Sequence, residues 1–176
     1  VPEPGLRVDV DALLDAVTPA TRIVFLCNPG NPTGTRIDNS EVLRLRAGLA
    51  DDVILAVDQA YGEFDDQPPG PVFALADQGN TVVLRTFSKA YALAGARVGW
   101  GLFPEEIATQ TRKLLNPNNV AAVSQAVAAA AMRDQTHMQG IVAKTAAIRG
   151  AFSRALTEAG FAIPESHANF VLIPFA

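Results

Sequence analysis

The sequence predicts an α/β fold built on a largely parallel sheet. Three observations lead there. Short apolar runs alternate along the chain with helix-period segments, the order expected of α/β proteins. The runs Ile23-Val24-Phe25-Leu26-Cys27, Val53-Ile54-Leu55-Ala56-Val57 and Thr81-Val82-Val83-Leu84 show no period of two, the habit of strands covered on both faces. Each run stops at a polar cluster, as strand ends facing a ligand do.

The first strand, residues 23–27, ends at Asn28-Pro29-Gly30, a turn signal. Asp38-Asn39-Ser40 then offers a cap for a helix over residues 41–49, with Val42, Leu45 and Leu49 on one side. The second strand ends at Asp58, and the third leads into Arg85-Thr86-Phe87-Ser88-Lys89. Residues 97–102 are a candidate fourth. Pro104 suits a first helical position, with Glu105 and Glu106 in the first turn and Arg112 and Lys113 in the last, matching the helix dipole. A long helix over about residues 136–159 aligns Ile141, Ile148, Phe152 and Leu156, and Gly160 closes it. Asn169 to Ile173 reads as a further strand.

Apolar residues make up 49% of the 176, and a chain of this length buries roughly two-thirds of its surface. That excludes a disordered chain. Fourteen basic against eighteen acidic residues leave a formal charge of −4, and without a basic cluster no nucleic-acid partner is expected. No apolar run approaches the ~20 residues of a membrane-spanning helix; the Ala-rich stretch from Ala121 to Met132 is interrupted by Ser124 and Gln125. Val1 to Gly5 resembles neither a signal peptide nor a natural start. Cys27 is the lone cysteine and reads as a small core hydrophobe, so neither a disulfide framework nor a Cys-based metal site is expected. Trp100, His137 and His167 read as structural. The expected location is the cytoplasm.

If the strands are parallel, three clusters share one edge: Asn28 to Gly34, Asp58 to Tyr61, and Thr86 to Lys89. Together they hold an amide, a carboxylate, a phenol, two hydroxyls and a lysine, and Arg97 follows eight residues beyond Lys89. That set suits a phosphorylated carbonyl compound that forms a Schiff base. The chain has only three lysines against eleven arginines; Lys113 and Lys144 lie in polar helical stretches, whereas Lys89 precedes the apolar Ala90-Tyr91-Ala92-Leu93-Ala94-Gly95. Desolvation disfavours an ammonium, and the neutral amine is the nucleophile such chemistry needs. Each signal taken singly has an ordinary alternative. Lys89 fits a surface lysine, Asp58 a turn or cap residue, Tyr61 a core-edge aromatic, and residues 28–34 a plain turn. Their joint order is the stronger evidence.

That order, Asn31-Pro32-Thr33-Gly34, Asp58-Gln59-Ala60-Tyr61, Thr86-Phe87-Ser88-Lys89 and Arg97, resembles the fold-type-I aminotransferases, which use pyridoxal 5'-phosphate. Within them, residues 84–99 and Ser166-His167-Ala168-Asn169-Phe170-Val171 are similar to the histidinol-phosphate aminotransferases. The resemblance implies a three-layer α/β/α cofactor-binding domain over residues 1–135, and the start of a small C-terminal α+β domain over residues 136–176. It implies that Lys89 forms the Schiff base and shuttles the proton, and that Asp58 pairs with the pyridinium nitrogen. Asn31 and Tyr61 would bond the ring's phenolic oxygen; Thr86, Ser88 and Arg97 would hold the phosphate. No metal is implied. The implied reaction exchanges an amino group between L-histidinol phosphate and 2-oxoglutarate in a homodimer, with aromatic amino-acid aminotransfer as the nearest alternative. A decarboxylase of the same fold and a non-catalytic fragment are further ones. Gln59, Gly30, Ala96 and Asn116-Pro117-Asn118-Asn119 depart from the family's pattern without removing a cofactor contact. Other expected parts, including a stacking aromatic and a carboxylate-binding arginine, lie outside residues 1–176, so the chain reads as the middle of such an enzyme and is expected to be inactive alone.

Overall fold

In the computed structural model, which describes residues 1–175, four strands form one sheet in the order β1-β2-β3-β4. β1 (Ile23–Cys27), β2 (Ile54–Asp58) and β3 (Thr81–Thr86) are parallel, and β4 (Gly99–Leu102) runs antiparallel beside β3. Parallel neighbours need a crossover long enough to bring the chain back. Here α2 (Asn39–Gly48) and α3 (Gly70–Gln78) supply it, after a short α1 (Val10–Asp15). Three helices follow: α4 (Glu105–Leu114), α5 (Ala122–Arg133) and α6 (Gln135–Glu158).

The register pairs Val24 with Leu55, Leu26 with Val57, and Val57 with Val83, so these residues share one face of the sheet. Val10 of α1, Val42 and Leu45 of α2, and Val72 and Leu75 of α3 close over that face. Leu45, Leu55, Val57, Val72 and Val83 are fully buried, each contributing roughly 1.5–3 kcal/mol by leaving water. A second cluster joins Tyr61, Phe64, Phe87, Ala90 and Tyr91 to Ala128 of α5, Met138 of α6 and Ala168. It fastens the carboxyl-terminal helices against the strand ends.

The opposite face of the sheet carries Phe25, Ala56 and Val82, then Cys27, Asp58 and Leu84 at its carboxyl end. Coverage on both faces, expected from the unbroken apolar runs, holds for most of β2 and β3. It fails for β1, where Ile23 is 47% and Phe25 71% exposed. β1 is an edge strand, and among the described residues nothing covers that side of it. Cys27 points the same way, so it is exposed and not the core residue its composition suggested.

The expected helices at 41–49, after Pro104 and at 136–159 correspond to α2, α4 and α6. Pro104 is the N-cap of α4 and not its first residue. Asp38 caps α2 without a side-chain bond, while Asp134 accepts from the His137 amide at 3.1 Å and starts α6. α1, α3 and α5 have weaker signatures: six residues are too few to show a period, Pro69-Gly70-Pro71 signals a turn, and an alanine run shows no stripe. No strand forms at Asn169–Ile173. That segment follows a buried turn in which Ser166 Oγ donates to the Phe170 carbonyl at 2.6 Å and His167 N donates to the Gly34 carbonyl at 2.7 Å.

Candidate functional site

Asp58 is the last residue of β2, on the sheet face opposite α1, α2 and α3. Its carbonyl accepts from Asn28 N at 2.9 Å, and its Oδ1 accepts from Ala60 N at 2.9 Å, turning the chain toward Tyr61. Thr86 ends β3 on the same face, and its Oγ1 accepts from Ser88 N at 3.0 Å. Both hydroxyls and Lys89 are therefore delivered by one tight turn. Lys89 is half-buried, with its Nζ 5.3 Å from the centre of the Tyr61 ring, within cation–π reach. Ala90 and Tyr91 beside it are buried, but Ala92, Ala94 and Gly95 are exposed, so its apolar flank is only partly a desolvating one.

Tyr61 is 7% exposed, wedged edge-on to Phe170 at 5.1 Å, and its Oη accepts from Asn31 Nδ2 at 3.0 Å. Asn31 rides on the loop that follows β1. Asn28 anchors that loop: fully buried, it donates from Nδ2 to the Ile37 carbonyl at 3.0 Å and accepts at Oδ1 from Ile37 N at 2.9 Å. Gly34 sits in the same loop at φ +74°, and a Cβ there would lie 2.5 Å from Ser166 Oγ. Only glycine fits both the left-handed backbone and that approach. Arg97 is exposed and left-handed (φ 51°), with Nη1 donating to the Ala94 carbonyl at 3.0 Å. The pairing of Thr86 with Gly99 and the bond from Phe87 N to the Val98 carbonyl at 3.2 Å place the backbone of Arg97 just beyond the carboxyl end of β3. Asn31, Asp58, Tyr61, Thr86, Ser88, Lys89 and Arg97 thus gather at the carboxyl edge of the sheet, where α/β folds bind ligands. A cleft of about 320 Å³ lies on the outer side of the Asn31 loop, lined by Val1, Phe25, Cys27, Asn31 and Arg36 among others; it meets the gathered set only at Asn31.

Two charged groupings were not singled out from the sequence. Arg85, buried on the α3 side of β3, donates to Gln59 and forms an ion pair with Glu63 at 3.0 Å. A charge inside an apolar strand run was the available signal. Burial pushes the Glu63 carboxyl above the usual range, against the opposing pull of Arg85. Arg36 pairs with both Asp65 and Asp66 next to His167, whose imidazole is pushed below its ordinary value first by burial and then by Arg36. Asp65, Asp66 and His167 hold ligand atoms within 4.8 Å of one another, and Arg36 pairs with both carboxylates, balancing one of their two charges. His167 is buried, at 7% exposure.

Among the described residues no helix is long and apolar enough to cross a membrane. The sequence profile described as "Aminotransferase class I and II" matches residues 1–175. A histidinol-phosphate aminotransferase of Cereibacter sphaeroides is 43% identical over all 176 residues, which cover 49% of that protein. An aromatic amino acid aminotransferase of Streptomyces coelicolor is 41% identical over 170 residues, 96% of this chain and 47% of that one. The crystal structure of histidinol-phosphate aminotransferase from Sinorhizobium meliloti in complex with pyridoxal-5'-phosphate superposes with a TM-score of 0.91 at 34% identity, over 98% of this chain and 48% of that one. The chain spans about half the length of the curated relatives it matches. With a profile match over residues 1–175 and a shared fold, the chain belongs to the class I and II aminotransferase family.

Proposed function

We propose that the protein carrying this chain is a pyridoxal-phosphate-dependent aminotransferase acting on L-histidinol phosphate and 2-oxoglutarate. The observation that carries the reading is the gathering of one amine, one carboxylate, a bonded phenol–amide pair, two hydroxyls and a guanidinium at a single sheet edge. That donor set fits the cofactor: a cation-seeking carboxylate for a ring nitrogen, donors for a phenolic oxygen, and hydroxyls with a guanidinium for a phosphate. Bound there, the cofactor supplies an electron sink for the charge left when a proton leaves the amino-bearing carbon.

The residues of this chain take the remaining work. Lys89 Nζ is the attachment point and, when free, the base that holds and returns the proton. Asp58 keeps the ring nitrogen protonated through its carboxylate. Tyr61 Oη and Asn31 Nδ2, already bonded to each other, are preset to address the phenolic oxygen. Thr86 Oγ1, Ser88 Oγ and Arg97 orient the phosphate. In this reading residues 1–135 belong to the cofactor-binding domain, residues 136–176 begin the small domain, and the whole protein is a cytoplasmic homodimer. Relatives named as histidinol-phosphate aminotransferases support that substrate. The Streptomyces relative favours aromatic amino acids as the second reading.

Borohydride reduction of the cofactor-loaded full-length enzyme followed by peptide mapping tests the site. Label on the Lys89 peptide is expected; label on Lys113 or Lys144 instead refutes it. Comparing kcat/KM for histidinol phosphate, phenylalanine and tyrosine separates the two substrate readings.

A further inference from the structure

Arg85 is the penultimate residue of β3 and points away from Thr86, into the α3 side of the sheet. Its side chain is 5% exposed. Nε and Nη2 donate to Gln59 Oε1 at 3.2 and 3.0 Å, and Nη1 meets Glu63 Oε1 at 3.0 Å. The guanidinium carbon lies 5.1 Å from the centre of the Phe73 ring. At Gly62 a Cβ would lie 2.5 Å from that same carbon, so the guanidinium packs directly on the backbone of residue 62. One side chain therefore touches three residues, 59, 62 and 63, of the turn that joins Asp58 to Phe64.

Within itself that turn is held by short local bonds, Gly62 N to the Gln59 carbonyl and Phe64 N to the Tyr61 carbonyl, both at 2.9 Å. Its backbone is tied to β3 by Gln59 N donating to the Leu84 carbonyl at 2.9 Å. The guanidinium supplies the other ties to β3. The two side chains aimed at the site lie away from Arg85: Asp58 on the opposite face of the sheet, Tyr61 toward Asn31 and Lys89. A planar fork with two acceptors at fixed angles sets direction as well as distance, which an ammonium does not. The charges close locally, with Arg85 against Glu63 and the neutral Gln59; among the described residues Glu63 Oε2 has no bonding partner.

Resting on the aminotransferase reading above, we propose that Arg85 is a positioning residue: its buried fork to Gln59 and Glu63 sets the aim of Asp58 and Tyr61 at the cofactor. It touches neither cofactor nor substrate. It acts from behind the sheet through the turn that carries both groups.

The test compares the full-length parent enzyme with Arg85→Lys, which keeps the charge and loses the fork. A second variant, Arg85→Met with Glu63→Met, removes the buried pair together, a replacement that often leaves stability unharmed. Leu75→Ala, in the α3 core away from the turn, is the control for plain destabilisation. Each holoenzyme is titrated by pH at the absorbance band of the bound cofactor, which senses the ring's partners, and its kcat, KM and melting temperature are measured. Both Arg85 variants are expected to shift the titration midpoint by about half a unit or more. Their kcat should fall roughly ten- to a hundredfold, the scale of a misaimed group, with KM within about threefold. Leu75→Ala should melt lower yet keep the parental midpoint. A parental midpoint in either folded Arg85 variant overturns the proposal. A parent enzyme with no titrating cofactor band overturns the aminotransferase reading itself, and this proposal with it.

Discussion

Replacing Asn28 by alanine would cut the loop that carries Asn31 loose from the sheet. Asn28 is 2% exposed, and its amide bonds both backbone groups of Ile37, itself 8% exposed. After truncation the Ile37 amide keeps no acceptor, and stranding a buried donor costs about 1–3 kcal/mol. The Ile37 carbonyl fares better, because Gln67 Nε2 still donates to it at 3.3 Å. It loses only the net worth of one bond, about 0.5–1.5 kcal/mol. The combined loss is about 1.5–4.5 kcal/mol, a large part of the 5–15 kcal/mol typical of a folded protein. Asn28→Asp should be at least as costly at neutral pH, since its carboxylate can serve the amide but must face the carbonyl without a hydrogen. The assay is urea denaturation of the full-length enzyme, paired with an equilibrium titration of pyridoxal phosphate. A freed loop also misplaces Asn31 against Tyr61, so cofactor affinity should fall together with the midpoint. A stability loss below about 0.5 kcal/mol, the size of an ordinary surface substitution, would refute the anchoring role.

Asp58→Asn in the full-length enzyme should retain cofactor but lower turnover severely, because the ring nitrogen loses its anionic partner; near-parental transamination would exclude Asp58 from that role. Arg97→Ala should weaken cofactor binding by about 1.5–3 kcal/mol, the scale of a bond to a charged group, and equal affinity by equilibrium titration would contradict the phosphate assignment. His167 is held below its ordinary value in the folded chain by burial and by Arg36. The unfolded chain therefore takes up that proton first. The stabilising contribution is whole above about pH 6.5, the unfolded value, and is lost as pH falls toward the lower folded one. Urea midpoints measured at pH 7.5 and 5.5 should drop more for the parent than for His167→Gln; equal drops would remove His167 from the acid response.

What the chain's order of residues determined is which polar side chains stand at the strand ends. Apolar runs with polar stops marked β1, β2 and β3, and the stops themselves held Asn31, Asp58, Tyr61, Thr86, Ser88 and Lys89. Those residues were legible because a strand end is set by its neighbours in sequence, and parallel strands put their like ends on one edge. Cys27 and Phe25 were misjudged for the complementary reason. An apolar run reports that a strand is able to be covered; which of its faces is covered by the described residues depends on where the helices pack, and here they close over the Val24 and Leu26 face alone. The strand expected at Asn169–Ile173 does not form, and the bond of His167 just before it to Gly34, more than a hundred residues earlier, was equally out of reach of the local sequence. Arg85, Gln59 and Glu63 show the limit most plainly. Period-two alternation places Arg85 opposite Thr86, but that its fork closes on Gln59 and Glu63, against the bare backbone of Gly62, follows from the β2–β3 register. Pairing across strands is a long-range property, set by burial summed over the whole sheet, and tertiary structure alone decided it.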